Sequence, residues 1–223
     1  MQSWQFFDYG LIDFKEFLTH QKKLWEARVR NEIPNTVVYA DHTPAISLKN
    51  QGQLKHVRVT MEQLRDKNIP LFETSRGGST AVHGPGILGC YVITKIQKVD
   101  QEVDLEFSFS NLLAQWTKAA LKEAGAETHE LPKEKRLDHH NLHKYHGLWQ
   151  GDKKIVSIGA KISSHVTSFG ASININPEEW LLNLIWPCGI TEYSLGSLAE
   201  EKCIVDREEL ILYLSESAYH FLP

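Results

Sequence analysis

Apolar residues recur at helical spacing in four stretches of the chain, separated by shorter apolar runs. The spacing predicts helices over residues 13–30, 60–67, 110–125 and 206–222. Asp13 and Asp206 are each followed three residues later by a glutamate, which is the spacing of a capping box. Gly125 follows the third apolar stripe and provides a helix stop.

Short runs rich in β-branched and apolar residues lie between these helices. They predict strands over residues 36–42, 70–74, 87–93, 146–150, 154–162 and 170–176. Gly151 and Asp152 separate two of the strands and form a hairpin signal. Because strands and helices are mixed along the chain, we expect an α+β (mixed α/β) fold with a sheet flanked by helices. A length of 223 residues fits one domain over residues 1–223.

Composition narrows the range of partners. The net charge is -4 and the pI about 6.3, so no nucleic-acid backbone is an expected ligand. The three cysteines cannot all pair with one another and match no metal motif. The start of the chain lacks the basic region of a secretory signal, and no apolar run has the length of a membrane span. We therefore expect a cytoplasmic protein with free thiols and no membrane partner.

Residues 76–86, RGGSTAVHGPG, are the first candidate for chemistry. Four glycines, a proline, an arginine and a histidine fall within this stretch. Such a loop exposes backbone N–H groups that can hold a carbonyl or a phosphate. The same composition also fits a turn-rich connection between two strands, although Arg76 and His83 favour a ligand loop.

Cys188 and Lys154 are the next candidates. Cys188 stands between a proline and a glycine, so a turn can present its thiol, but a free cysteine is more often a small buried hydrophobe. Cys90, inside an apolar strand, is assigned to the core. If the predicted strand alternates, Lys154 shares a face with Val156 and Ile158. On these residues alone, a solvated turn lysine is the favoured interpretation.

A histidine-rich stretch covers residues 137–146. His139, His140, His143 and His146 include helical spacings of three and four residues. The stretch lacks the acidic residue and second anchor of a zinc motif such as H-E-x-x-H. We interpret it as a polar surface loop and predict no metal site.

Taken together, these stretches resemble the lipoyl(octanoyl) transferases, a family within the lipoate and biotin protein ligase superfamily. The glycine loop keeps the family's arginine, four glycines, histidine and proline, and KKIVSIGAKI, SFGASININ and PCGITEYSLGSL are similar to three further family stretches. Lys154 precedes Cys188 by 188 − 154 = 34 positions, which also fits. The resemblance covers roughly residues 7–199. Departures from the family pattern fall at Thr43, Ser47, Ser79, Ala81, Ile87 and Phe169.

The resemblance implies the mixed, largely antiparallel sheet of lipoate and biotin protein ligases. It implies catalysis by Cys188, as a thioester carrier, and by Lys154, whose ammonium would stabilise the thiolate. The implied substrate-binding residues are Arg76, Gly77, Gly78, Ser79, Thr80, Ala81, Val82, His83, Ser157, Ile158, Gly159, Phe169, Gly170 and Ala171. Among these, three groups are expected to hold the thioester oxygen: the amides of Gly77 and Gly78, the amides of a turn at 157–159, and His83.

The implied reaction moves an octanoyl group from octanoyl-acyl carrier protein to a lysine of a lipoyl domain. Implied acceptors are the lipoyl domains of 2-oxoacid dehydrogenases and the glycine cleavage H protein, with a monomer as the active form. Neither ATP nor another cofactor is expected, because amide formation from a thioester is downhill. Three alternatives stay open: an amidotransferase between lipoyl domains, an ATP-dependent lipoate ligase and a non-catalytic binding module.

Overall fold

A computed structural model describes residues 3–96, 104–132 and 145–223. Its α-helices are α1 (Phe14–Val29), α2 (Met61–Asp66), α3 (Leu105–Glu123), α4 (Glu179–Leu182) and α5 (Arg207–Phe221). Asp13 caps α1, and Asp206 caps α5, as predicted. The prediction for the third helix is wrong at its start: α3 begins at Leu105 rather than Ser110, because Asp104 accepts a hydrogen bond from the N–H of Phe107 and serves as the N-cap.

Ten strands form two sheets in the described part of the chain. They are β1 (Trp4–Ile12), β2 (Asn35–His42), β3 (Ala45–Leu48), β4 (Leu71–Glu73), β5 (Ala81–His83), β6 (Ile87–Ile93), β7 (Gly147–Gln150), β8 (Lys153–Ser163), β9 (Val166–Asn174) and β10 (Ser194–Leu195). The larger sheet has the order β1-β2-β6-β9-β8-β10, with β7 also paired to β8, and the smaller sheet has the order β4-β3-β5. In the larger sheet, β1–β2 and β8–β10 are parallel and the other pairs are antiparallel, which confirms the mixed, largely antiparallel prediction.

Both faces of the larger sheet are covered. Along β2, Val37 and Tyr39 belong to the core beneath α3 and α5, whereas Val38 and Ala40 pack on the opposite face with Phe17 of α1. Successive side chains of a strand point to opposite faces, so a strand sandwiched in this way must be apolar throughout. This accounts for the continuous burial of β2 and of β6.

A separate apolar core lies beneath the smaller sheet. Ile46 and Leu48 of β3 pack there with Leu64 of α2, Leu181 of α4 and Leu195 of β10. The glycine-rich loop connects the smaller sheet to β6 of the larger one, so it runs along the junction of the two sheets. That junction is where the candidate site forms.

Arg207, the first residue of α5, bonds this helix to the β1 edge of the larger sheet. Its guanidinium donates two hydrogen bonds to Asp8 of β1, at 2.7 and 2.8 Å, and one to Asp41 of β2, at 2.7 Å. These bonds to Arg207 hold the pKa of Asp8 below its usual value. Over the described ranges, no helix has both the length and the apolar character needed to cross a membrane.

Candidate active site

Cys188 lies in a tight turn after the core segment that ends at Trp186. Pro187–Gly189 form a 3₁₀ turn in which Cys188 has φ 53° and ψ 23° and Gly189 has φ 73°. The N–H of Gly189 donates to the carbonyl of Trp186 at 3.0 Å, and the N–H of Ile190 donates to that of Pro187 at 3.0 Å. A non-glycine residue in the left-handed region is uncommon, so the turn holds Cys188 in a defined, strained orientation.

Lys154, the second residue of β8, is buried. Its relative exposure is 1%, and its Nζ lies 5.7 Å from the centroid of the Trp149 ring. Burial lowers the pKa of Lys154 from its usual value, and the opposing influence is the negative charge of a Cys188 thiolate. The sequence-based preference for a solvated turn lysine is therefore wrong. The amine lies in the interior, within electrostatic reach of the thiol.

Gly147 of β7 makes room for the Lys154 side chain. A Cβ at this position would lie 2.6 Å from Lys154 Cε, 3.3 Å from its Nζ and 2.2 Å from the carbonyl oxygen of Val156. Gly147 also has a backbone φ of 139°, which residues other than glycine rarely adopt. The lysine amine therefore depends on a glycine on the neighbouring strand for its position.

Arg76 anchors the glycine loop to β3. Its Nε and Nη2 donate to Ser47 Oγ at 3.2 and 2.9 Å, and Nη2 also donates to the Ser47 carbonyl at 3.1 Å. Because these donors occupy the lone pairs of Ser47 Oγ, the serine hydroxyl donates to Nε2 of His83, 2.9 Å away. Nδ1 of His83 then carries the ring proton. Burial lowers the pKa of Arg76 to about 10, which leaves it a cation at neutral pH.

The two buried histidines of the site are held neutral. His83 stacks on Phe14 with ring centroids 4.1 Å apart, and burial, assisted by His42 and Arg76, holds its pKa well below the usual value. His42 contacts the hydroxyl of Tyr91 through Nε2 at 2.6 Å and the carbonyl of Ile12 through Nδ1 at 3.2 Å. Burial lowers the pKa of His42 to about 4. Both rings therefore act as neutral hydrogen-bonding groups.

His56 links the cysteine turn to the glycine loop. Its Nδ1 lies 2.7 Å from Ser79 Oγ, and its carbonyl accepts a hydrogen bond from the N–H of Trp186 at 2.8 Å. Its ring lies against Gly189, where an added Cβ would be 2.5 Å from Nε2. The residue after Cys188 is therefore positioned by a histidine that also contacts the loop.

A mainly apolar cavity joins these elements, and we call it the acyl cavity. Cys188 and Lys154 both line it, together with the loop residues Gly78 to His83 and segments of β8 and β9. Cys188 also lines two outer grooves, one with Gly77 and the other with Lys55, and His56 lines both grooves. The thiol thus lies where the interior cavity meets the surface.

The model of the lipoyl protein ligase A/B catalytic domain family matches residues 13–217, nearly the whole chain. The chain belongs to this family. The match confirms the resemblance drawn from the motifs, and it includes every residue of the candidate site.

Curated relatives of this chain are about 30% identical to it over most of its length. An octanoyltransferase of Caldicellulosiruptor bescii is 32% identical over 190 residues, which are 85% of this chain and 78% of the relative. An octanoyltransferase of Dictyoglomus turgidum is 32% identical over 198 residues, covering 86% and 77% of the two chains.

Solved structures of lower identity show the same fold. The bi-partite lipoate protein ligase of Thermoplasma acidophilum has a TM-score of 0.71 at 13% identity, covering all of this chain and 84% of that one. A biotin protein ligase of Aquifex aeolicus has a TM-score of 0.52 at 15% identity, covering all of this chain and 69% of that one. The expected lipoate and biotin ligase fold is confirmed.

In the structure, most of the predicted site residues lie together around the acyl cavity. The substrate-binding residues that line the acyl cavity are Arg76, Gly78, Ser79, Thr80, Ala81, Val82, His83, Ser157, Ile158, Gly159, Phe169, Gly170 and Ala171. Gly77 is the exception and lines an outer groove. Its N–H donates to the carbonyl of Ala160 at 2.9 Å, so it is not free to bind a substrate oxygen.

A second correction concerns residues 157–159, which were expected to form a turn. They lie in the middle of β8 and pair with β9, Ser157 with Ser172 and Gly159 with Gly170. The alternation that predicts the strand continues through these residues, so their amides belong to the strand and not to a turn that could serve as an oxyanion site.

Three contributors to the site were missed from the sequence. His56 and Gly147 act through contacts with residues distant in the chain, and Phe14 contributes the ring that stacks on His83. The positive φ at Gly147 has no sequence signal apart from the glycine itself. The sequence placed Gly147 only within the predicted strand 146–150.

The histidine-rich stretch predicted as a surface loop lies only partly within the described residues. His139, His140 and His143 lie outside the described residues. His146 Nε2 lies 2.7 Å from Asn111 Oδ1, and His146 lines an outer groove beside Cys188. Within residues 3–96, 104–132 and 145–223, no cluster of three or more histidine, cysteine, aspartate or glutamate residues could hold a metal ion.

Proposed function

We propose that this chain is an octanoyltransferase of lipoate biosynthesis that carries the octanoyl group as a thioester on Cys188. The observation that carries the proposal is that Cys188 and the buried Lys154 line the same mainly apolar cavity. A thiol at the mouth of an apolar cavity, beside a buried amine, suits the transfer of an apolar acyl group. The curated relatives named octanoyltransferase support the same reaction.

In the first step, the sulfur of Cys188 attacks the carbonyl carbon of the donor thioester. The Cys188 proton passes to the neutral amine of Lys154 as the new S–C bond forms. The bond between the carbonyl and the donor sulfur then breaks, and the donor thiolate takes the proton from Lys154. Burial of Lys154 favours its neutral form, which is the form that accepts this proton.

In the second step, a neutral lysine amine of the acceptor attacks the Cys188 thioester. A C–N bond forms, the C–S bond to Cys188 breaks, and Lys154 takes the proton that the attacking amine loses. That proton then returns to the Cys188 sulfur. The neutral His83, with its proton on Nδ1, is the candidate donor to the thioester oxygen, because it lines the cavity and its Nε2 is bonded to Ser47.

The proposed donor is octanoyl-acyl carrier protein, and the proposed acceptors are lipoyl domains, including that of the glycine cleavage H protein. Cys188 opens onto two outer grooves as well as the acyl cavity. The thiol is therefore accessible to a pantetheine arm or a lysine side chain from outside while the acyl chain occupies the interior.

The test begins with octanoyl carrier protein and no ATP. Intact mass should show one octanoyl adduct that hydroxylamine removes, and adding a lipoyl domain should transfer it. Cys188→Ser should abolish the adduct. Cys203→Ser, which changes another partly buried free cysteine, is the matched control and should keep it.

The role of Lys154 is tested with Lys154→Met. Methionine fills a similar volume without a buried amine, so we expect thermal stability at or above that of the wild type. Acylation and transfer should each fall by about 100-fold or more, the range of general acid–base catalysis. Unchanged rates would assign proton transfer to another group.

The same assay separates the alternatives. Adduct formation only from an octanoylated lipoyl protein would make the chain an amidotransferase between lipoyl domains. Transfer of free octanoate that requires ATP would make it a ligase. A wild-type protein that forms no adduct with any donor and transfers no octanoate with ATP would be a binding module, and the proposal would be wrong.

A further inference from the structure

Phe169 of β9 separates the acyl cavity from a second cavity on the α1 side of the sheet. We call the second one the rear cavity; its lining includes Leu18, Gln21 and Trp25 of α1 and Lys161 of β8. Among the described residues, Phe169 is the one that lines both cavities. Its side chain is therefore a partition between two spaces that are otherwise lined by different residues.

The backbone at Phe169 supports this role. Its φ is 64°, in the left-handed region, which is unusual for a bulky residue within a strand. The side chain is buried in the cluster on the α1 face that also contains Phe17, Val38 and Tyr91. Packing in this cluster holds a conformation that the backbone alone disfavours, so the partition is fixed rather than adjustable.

The partition lies towards the end of β8 that is distant from Lys154. Phe169 is paired with Ala160, six residues along β8 from Lys154, which corresponds to about 20 Å of strand. Cys188 and Phe169 line the same cavity, so an acyl chain on Cys188 that extends towards this end of β8 meets the Phe169 ring.

The sizes of the two cavities make the position of Phe169 decisive. The acyl cavity is tight, about 50 Å³, so an acyl chain enters only if the lining side chains move apart. The rear cavity is larger, about 290 Å³, and more open; Leu18 and Trp25 give it an apolar part, and its remaining lining apart from Phe169 is polar. Carbons added beyond the end of the acyl cavity would find room there only if the Phe169 ring were absent.

We propose that Phe169 sets the upper limit on acyl chain length by closing the acyl cavity against the rear cavity. The inference rests on the proposed acyl transfer and adds a specificity-determining residue to it. Shortening the side chain should join the two cavities into one longer channel and admit longer acyl groups.

The experiment measures single-turnover acylation of Cys188 by intact mass, using octanoyl, decanoyl and dodecanoyl thioesters of N-acetylcysteamine. In Phe169→Ala, the ratio of the dodecanoyl rate to the octanoyl rate should rise about tenfold or more over the wild type, because each methylene admitted to an apolar pocket contributes a factor of that order. Phe169→Leu should give an intermediate ratio and serves as a milder variant if the alanine variant does not fold.

Two controls distinguish a partition from a general loosening of the core. Leu24→Ala removes a side chain that packs against the same cluster but lines neither cavity, and it should leave the ratio unchanged. Adding Leu18→Trp to Phe169→Ala should refill the rear cavity and lower the ratio again. A loosened core would instead raise the ratio in Leu24→Ala as well.

Two results would overturn the inference in different ways. A folded Phe169→Ala or Phe169→Leu variant that forms the octanoyl adduct with an unchanged chain-length ratio would overturn the inference alone. A wild-type protein that forms no adduct from any of the three thioesters would overturn the proposed function, and the inference with it.

Discussion

Gly147→Ala tests directly whether the position of the Lys154 amine determines activity. The added Cβ would lie 2.6 Å from Lys154 Cε, whereas ordinary contact begins at 3.4 Å. The carbonyl of Val156, on the same strand as Lys154, would lie 2.2 Å from that Cβ, so the substitution also disturbs the pairing of β7 with β8. The lysine side chain must therefore move by about 1 Å, a displacement that costs about 100-fold when it misaligns a catalytic group.

The same substitution should also lower stability by a calculable amount. Overpacking of a filled interior costs about 1–3 kcal/mol, and a side chain at φ 139° adds about 1–3 kcal/mol of backbone strain. Together these predict a loss of about 2–6 kcal/mol in the free energy of unfolding. The rates must therefore be compared at a temperature where circular dichroism shows the variant folded.

Acylation of Cys188 and transfer to a lipoyl domain are measured separately, by intact mass in single turnover. Gly151→Ala is the matched control, because Gly151 also has a positive φ, 56°, but an added Cβ there meets nothing within 4 Å. The control should lose some stability and keep its rates. If a folded Gly147→Ala variant acylated and transferred at wild-type rates, the assignment of Lys154 to proton transfer would be refuted.

Three other predictions concern residues that position the cysteine turn or stabilise the fold around the site. Gly189→Ala should slow acylation of Cys188 about tenfold in single turnover, because the added Cβ displaces the cysteine turn from the His56 ring. Adding His56→Ala should restore part of the acylation rate. A double variant as slow as Gly189→Ala would contradict the steric cause. His42 has a folded pKa of about 4 against 6.5 unfolded, so the unfolded chain binds more protons between these values. In urea titrations from pH 6.5 to pH 4, the free energy of unfolding should therefore fall by about 3 kcal/mol more in the wild type than in His42→Gln, and an equal fall would contradict the assignment. Arg207→Met should cost about 2 kcal/mol in the same assay at neutral pH, because it leaves the largely buried Asp41 carboxylate with no cation and only the N–H of Gly86 as a donor. A smaller loss would mean that solvent replaces the ion pair.

Local signals in the sequence predicted most of the regular structure. Capping residues, hairpin glycines and apolar periodicity depend on neighbours within a few positions. They located four of the helices and five strands of the larger sheet, β2, β6, β7, β8 and β9. β1 was missed because its side chains are mostly exposed or half-buried and do not alternate. Its place is fixed by parallel pairing with β2, a contact that leaves no periodic pattern in either strand.

The candidate site also contains some residues that the sequence predicted and others that it did not. Cys188 and the glycine loop were found because their composition is unusual, and the family resemblance supplied Lys154. The burial of Lys154 could not be predicted, because it depends on Trp149 across the hairpin and on a neighbouring glycine. The contact of His56 with Gly189 joins residues 189 − 56 = 133 positions apart, and no local pattern records it.

The bonds of Arg207 constrain the order in which the chain can assemble. Its partners Asp8 and Asp41 precede it by 199 and 166 residues, so one edge of the larger sheet is completed only after the last helix has been synthesised. Pairing over such separations slows folding, and the β2 face that carries Val37 and Tyr39 stays uncovered until α3 and α5 have been synthesised. A nascent chain that stalls before α5 would therefore be a natural client for chaperones, and slow refolding after dilution from denaturant is the expected property of the purified protein.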